Sequence, residues 1–272
     1  MTKTWFITGT SKGFGREWAR AALDRGDNVA GSARNSSALD DLVATYGDAF
    51  LPLTLDVTDR DQASRAVQAT ADRFGSLDVV VNNAGYGHFG MVEELDEADL
   101  RAQLETNFFG AIWVTQAALP IMRRQGSGHI LQVTSEGGVT AFPGIGAYHA
   151  SKWALEGLSQ SLAQEVDGFG IHVTMVEPGP YATDWLGVGA IQSPEHPAYD
   201  GFRATIAREW GPDDLGKPAA TRAAILEVVD AENPPLRVFF GKNVLAGVTA
   251  DYESRLATWN EWQPVAVAAA GA

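Results

Sequence analysis

The sequence predicts an α/β fold, a doubly wound parallel sheet of about seven strands with helices on both faces. Two observations carry this. Short apolar runs alternate with amphipathic helical segments along nearly the whole chain. The cores of those runs (Phe50-Leu-Pro-Leu-Thr-Leu55, Val79-Val-Val81, Ile171-His-Val-Thr-Met-Val176) are almost wholly apolar, which suits parallel strands covered on both sides better than half-wet ones.

In order, the expected strands are 4–8, 28–33, 50–57, 78–82, 129–134, 171–176 and 237–240. The expected helices are 14–25, 37–46, 60–74, 96–124, 148–166 and 221–231, several of them closed by a glycine such as Gly26, Gly75 or Gly126. No repeat or linker divides the chain, so residues 1–272 read as one domain. Two stretches break the rhythm. Residues 184–217, rich in Gly, Pro and aromatics (Trp185, Tyr199, Phe202, Trp210), read as a strandless lid or loop. Residues 251–263 read as a C-terminal helix with Tyr252, Leu256 and Trp259 on one side, and 264–272 as a frayed tail beyond Pro264.

Composition sets limits. At 45% hydrophobic and 20% charged residues, the chain has the balance of a soluble globular protein. Cysteine is absent, which excludes a disulfide scaffold and thiolate metal sites, and the five histidines suggest no metal cluster. With 34 acidic against 20 basic residues the net charge is −14, a field that repels nucleic acid and anionic lipid, so neither is an expected partner. The first strand begins too early for a cleavable leader and no apolar run reaches membrane-spanning length, so a cytoplasmic location is expected.

The loop after the first strand reads Thr8-Gly9-Thr-Ser11-Lys12-Gly13-Phe14-Gly15. Glycines there let the backbone approach a phosphate, and the start of the next helix offers free N–H groups and a positive dipole end. The same residues, Gly9-Thr-Ser11-Lys-Gly13, match the nucleophile elbow of a serine hydrolase with Ser11 as nucleophile. That elbow needs an earlier strand–helix loop for its oxyanion hole, and none precedes it. The second strand ends in Ala33-Arg34, where an NAD-preferring fold places an acid for the ribose 2′-hydroxyl. Arg34 and Lys12, with no carboxylate at that strand end, suit the 2′-phosphate of NADP(H) instead.

Tyr148 and Lys152 lie four residues apart at the start of a helix and therefore share a face. An ammonium ~4 Å from the phenol favours the phenolate by roughly 4 kcal/mol, or about 3 pKa units, which turns tyrosine into a usable acid/base near neutrality. Ser135, at a strand end, can present its hydroxyl to a substrate oxygen. His149 follows the tyrosine but points about 100° away, which favours a structural role.

Taken together these residues resemble the short-chain dehydrogenase/reductase family in its single-domain, Rossmann-type form. The resemblance runs from Thr8 to at least Asp184: Thr-Gly-x-x-x-Gly-x-Gly at 8–15, Asp56-Val57, Asn82-Asn83-Ala84-Gly85, Asn107, Ser135 with Tyr148-x-x-x-Lys152, and Pro178-Gly179-x-x-x-Thr183. It implies Tyr148 as acid/base, Lys152 lowering its pKa and holding the nicotinamide ribose, and Ser135 orienting the carbonyl. It implies that Asn107 anchors a proton-relay water. It places Asp56 and Val57 beside the adenine, Asn83 and Gly85 beside its ribose, and Tyr181 and Thr183 at the carboxamide, with Ala84, Pro178 and Gly179 also binding the cofactor. The expected activity is an NADP(H)-dependent interconversion of a ketone or aldehyde and an alcohol, as in a carbonyl reductase. The alternative is a non-catalytic NADP(H)-binding sensor. His88, Phe142 and Trp185 are candidate substrate contacts, Glu136 is expected to lie exposed, and a homo-oligomer (tetramer or dimer) is implied, with Trp113 and Trp153 as candidate anchors.

Overall fold

Side chains of a strand point alternately to its two faces, so an apolar run buried on both sides splits into two sets, and the core is divided in that way. The computed structural model describes residues 2–186, 189–206 and 214–271. In β1 (Thr4–Ile7), Trp5 and Ile7 join one apolar layer while Phe6 joins the other; β4 (Val79–Asn82) divides Val79 and Val81 from Val80 likewise. The first layer packs under α1 (Gly13–Asp24), α2 (Asp40–Tyr46) and α8 (Arg222–Asp230); the second packs under α3 (Arg60–Phe74), α5 (Gly110–Gln125) and α6 (Gly146–Val166).

The other sheet strands are β2 (Asn28–Ala33), β3 (Phe50–Thr54), β6 (Gly128–Val133), β7 (Ile171–Pro178) and β9 (Arg237–Phe240). The seven pair in parallel in the order β3-β2-β1-β4-β6-β7-β9. The chain builds outward from β1 to β3, then returns to place β4 on the other side of β1. That reversal forces the loops after β1 and β4 apart at the carboxyl edge of the sheet, and a doubly wound sheet binds its ligand in the crevice so formed.

Three elements depart from the sequence expectation. The helix expected over 96–124 is α4 (Glu97–Leu104) and α5 joined by a wide π-turn, Glu105–Phe109, which periodicity does not reveal. The 184–217 stretch is not strandless: β8 (Ile191–Gln192) pairs in parallel with β5 (His88–Phe89), and α7 (Asp200–Ile206) follows. Trp210 lies outside the described residues. The last helix, α9 (Val244–Ala269), begins earlier than expected and continues through Pro264 instead of fraying. Alanines favour helix, and the N–H that proline lacks falls on an exposed part of it. Tyr252, Leu256 and Trp259 are exposed on α9. Among the described residues no helix is long and apolar enough to cross a membrane.

Trp18 ties the first layer together. It is fully buried on α1, donates its indole N–H to Thr221 Oγ1 at 2.8 Å, stacks on Phe14 and meets Phe240 edge-on. Trp18→Ala is expected to cost about 3–5 kcal/mol of stability in urea unfolding, because the cavity and the lost hydrogen bond to Thr221 add to lost burial.

Candidate active site

The crevice is a cleft of about 1560 Å³ along the carboxyl edge of the sheet. Its floor is set by one short-range lock. The Thr8 hydroxyl at the end of β1 accepts the backbone N–H groups of Asn83 (3.0 Å) and Ala84 (2.9 Å), while Asn83 Nδ2 donates to the carbonyls of Thr8 and Gly9. Gly9, at φ +69, turns the loop sharply, and a Cβ on Gly15 would meet Asn83 Nδ2 at 2.5 Å and the Gly9 carbonyl at 2.6 Å. Gly15 thus serves packing beneath the loop, while Gly9, Ser11, Lys12, Gly13 and Phe14 line the cleft.

Further along lie Arg34 at the end of β2, Asp56 and Val57 where the chain leaves β3, and Asn83, Ala84 and Gly85 after β4. One Asp56 carboxylate oxygen accepts from the Thr58 N–H and hydroxyl, which fixes its direction. On the opposite wall stand Pro178, Gly179, Tyr181 and Thr183. Lys12 is not free: its ammonium crosses the cleft to Asp184 at 2.8 Å, both side chains about half exposed. Arg34 is exposed at the cleft wall, and Arg16, four residues after Lys12, is held by Asp41 and the Ser11 and Ala38 carbonyls.

At the other end Ser135, Tyr148 and Lys152 converge, all buried. Ser135 extends from the end of β6, its Oγ accepting the Gly137 N–H at 3.0 Å and standing within hydrogen-bond reach of the Tyr148 hydroxyl. Lys152 Nζ donates to the Val133 carbonyl at 2.8 Å and lies 5.7 Å from the Tyr148 ring centre. Burial, against the Ser135 hydrogen bond, pushes the Tyr148 hydroxyl up to about 12, and Glu136 pushes it the same way. Burial lowers Lys152 to about 8, opposed by Glu156. In this state the lysine does not lower the tyrosine as the spacing argument expected, because desolvation of the phenolate outweighs an ammonium turned toward the Val133 carbonyl.

Asn107 is buried in the π-turn, away from the cleft lining. Its Oδ1 accepts the Tyr86 N–H, and its Nδ2 donates to the Tyr86 carbonyl and Ser151 Oγ, so the side chain anchors the loop after β4. His149 does structural work: its ring bonds the Gly137 carbonyl (2.7 Å) and accepts the Phe142 N–H (2.8 Å), pinning the turn that follows Ser135. Glu136 lines the cleft and is half-buried, against the exposed position expected for it.

A profile described as short chain dehydrogenase matches residues 3–188. The chain belongs to the short-chain dehydrogenase family. This dehydrogenase is 41% identical to Oxidoreductase BOA17 of Botryotinia fuckeliana over 99% of this chain and 100% of that protein. A crystal structure of a short-chain dehydrogenase from Streptomyces avermitilis is 42% identical, covers 98% of each chain and superposes with a TM-score of 0.90. An alcohol dehydrogenase from Thermococcus sibiricus, solved in complex with 5-hydroxy-NADP, is 26% identical over 89% of this chain and 97% of its own, with a TM-score of 0.74.

The family binds a nicotinamide cofactor, and this dehydrogenase has the cradle for one: a glycine loop without room for side chains beneath it, opening a helix, at the switch point of the sheet. The serine-hydrolase alternative lacks its partner, since among the described residues no hydrogen bond joins Ser11 to a histidine. Of the candidate substrate contacts, Phe142 and Trp185 line the cleft and His88 does not. His88 is fully buried, bonded to Ser193 Oγ at 2.8 Å, because strand alternation in β5 gives the cleft face to Phe89. Sequence reasoning missed Phe89, Met91, Ile145 and Ile191, which also line it. The signal was there for Phe89 alone, as the alternate residue to a histidine already singled out. Gly15→Val is expected to abolish dinucleotide binding by calorimetry while the far-ultraviolet circular dichroism stays that of a folded α/β protein.

Proposed function

We propose that this dehydrogenase is an NADP(H)-dependent reductase of apolar ketones or aldehydes, working on the carbonyl-to-alcohol interconversion. The observation that carries the reading is a buried tyrosine set against an apolar wall. Tyr148, pushed up to about 12, keeps its proton at neutral pH, and it faces a cavity bounded by Phe89, Met91, Phe142, Trp185 and Ile191. Trp185 lies 4.9 Å from the Tyr148 ring and 5.2 Å from Phe89, so a flat or extended apolar body fits beside them.

When bound, the reduced cofactor supplies the hydride. The chain supplies the rest. Ser135 Oγ and the Tyr148 hydroxyl bracket one point at the base of the cavity, where the carbonyl oxygen is held by two donors. Tyr148 then gives its proton to that oxygen, and the Lys152 ammonium stabilises the phenolate left behind. Preference for NADP(H) rests on Arg34, exposed on the cleft wall where Ala33 replaces an acid; the solved relative with 5-hydroxy-NADP is in keeping with it. With Lys12 engaged by Asp184, Arg34 takes the larger part in holding the 2′-phosphate. We read the chain as a homo-oligomer, dimer or tetramer. Trp259 and Trp262 on α9 are 60% exposed, and Trp153, with Arg255 of its own chain 4.9 Å over its ring, is 38% exposed.

Optical assay of NADPH and NADH oxidation against aryl ketones, keto esters, ketosteroids and aldehydes tests the reading. NADPH turnover well above NADH turnover is expected, with Tyr148→Phe losing at least about 100-fold in kcat while cofactor binding persists. Arg34→Ala is expected to weaken NADPH binding about tenfold or more and to spare NADH. Tight NADPH binding with no turnover in either direction would instead favour the sensor.

A further inference from the structure

Directly behind the catalytic lysine lies a buried acid pair that the reduction described above does not use. Glu156 follows Lys152 by one turn of α6, and both side chains are about 95% buried. The turn after Ser135 rests on this spot: a Cβ on Gly138 would meet Glu156 Cγ at 3.0 Å and the Lys152 carbonyl at 3.4 Å. Glu156 Oε2 accepts from Arg237 Nε of β9 at 3.0 Å, while its Oε1 receives no hydrogen bond, the Thr134 hydroxyl being given to the Val176 carbonyl. Beside it, Glu177 of β7 is wholly inaccessible, and neither of its oxygens receives a hydrogen bond. Arg237 Nε stands 3.4 Å from Glu177 but points its hydrogen at Glu156.

Two ionised carboxylates sharing one guanidinium in a dry pocket repel each other, and a carboxylate without donors is costly to bury. A carboxylic acid at 177 removes both problems by donating to Glu156. We propose that Glu156 is a positioning residue for Lys152: a fixed negative charge, held in place by Arg237 and by a proton carried on Glu177, that keeps the catalytic lysine an ammonium inside an apolar site. The catalytic part of this rests on the reading of Lys152 as the stabiliser of the Tyr148 phenolate; the charge assignment does not.

The charged and titratable groups acting on this cluster are few. On α6 they are Tyr148, Lys152 and Glu156; β7 contributes Glu177, β9 contributes Arg237, and the turn after β6 contributes Glu136, which acts on Tyr148. The π-turn presents only the uncharged Asn107 amide, bonded to Ser151. Burial lowers Lys152 to about 8 and Glu156 opposes that; burial raises Glu156 as well, opposed by Arg237, and burial with the Glu156 charge raises Glu177 to about 8. A carboxyl whose folded pKa is raised binds its proton more tightly folded than unfolded. Its contribution is therefore full in acid and is lost as pH rises toward and through about 8.

Three measurements test this, two of them without cofactor or substrate. In the cofactor-free protein, carbon-13 resonance of the lysine Cε groups follows the Lys152 titration. Glu156→Gln should move it down by about one pH unit and Glu156→Asp should return most of the shift. In turnover, the same Glu156→Gln change should pull the alkaline limb of kcat down by that unit, leaving activity recoverable in acid. A structural defect would lower kcat equally at every pH. Glu177→Gln, which mimics the protonated acid, should flatten the fall in melting temperature expected of the wild type between about pH 5 and 8. A folded Glu156→Gln protein with an unmoved Lys152 titration overturns the counter-charge, and a Glu177→Gln protein that still loses as much stability as the wild type between about pH 5 and 8 overturns the shared proton. Failure of every carbonyl to react leaves both of those readouts standing and counts against the reductase alone.

Discussion

The arrangement hangs on the threonine at the end of the first strand. Its hydroxyl and carbonyl, with the neighbouring Gly9 carbonyl, hold Asn83 and Ala84, so the loops that the sheet reversal drives apart remain fastened at their base. Without that fastening the glycine turn would have no fixed backing, and a phosphate-binding loop depends on backbone N–H groups already pointing the right way. The glycines follow from the same constraint. Gly15 is small because Asn83 occupies the space a Cβ would need. Conformational freedom and close packing are separate demands, and within this one loop Gly9 answers the first and Gly15 the second.

Seen from this base, the catalytic end is an exercise in unfavourable burial. A phenol and an ammonium are both moved out of water, in opposite pKa directions, to about 12 and about 8. The phenol therefore remains an acid in the resting protein, and the ammonium needs a counter-charge that does not open the site to solvent. The spacing of Tyr148 and Lys152 gave their common face correctly. It could not give the orientation of Lys152 toward the Val133 carbonyl, which is set by the strand end lying beside the helix.

Legibility in the sequence followed physical cause. Strands buried on both faces announce themselves by their apolar runs, and all seven of the main sheet fall where those runs stand. The limits that failed were set by long-range contact. Leu55, Asp56 and Val57 extend the apolar pattern of β3 but leave the sheet for the cleft. The π-turn around Asn107 arises from hydrogen bonds to Tyr86 and Ser151, which no local period encodes. Lys12 was legible as a cation near a phosphate loop, but its partner Asp184 lies far along the chain. His88 and Phe89 show the same limit in two residues, since a strand this short is not visible until its partner at 191–192 is known.

That short pairing also bears on how the molecule comes together. Residues about a hundred positions apart must meet to form a ladder of two rungs, and closing so long a loop brings little reward until the main sheet exists. Side chains add to it: His88 bonds Ser193 in the interior, Arg203 pairs with the buried side chain of Glu94, and Tyr199 donates to Glu93 nearer the surface. A wall paired by two rungs has few backbone contacts to lose in a local opening, while Tyr148 and Lys152 sit on a helix rooted in the core. Mutations that redraw the wall draw on a small, separate reserve of stability, so substrate choice can drift across descendants of this fold without disturbing the machinery of proton delivery.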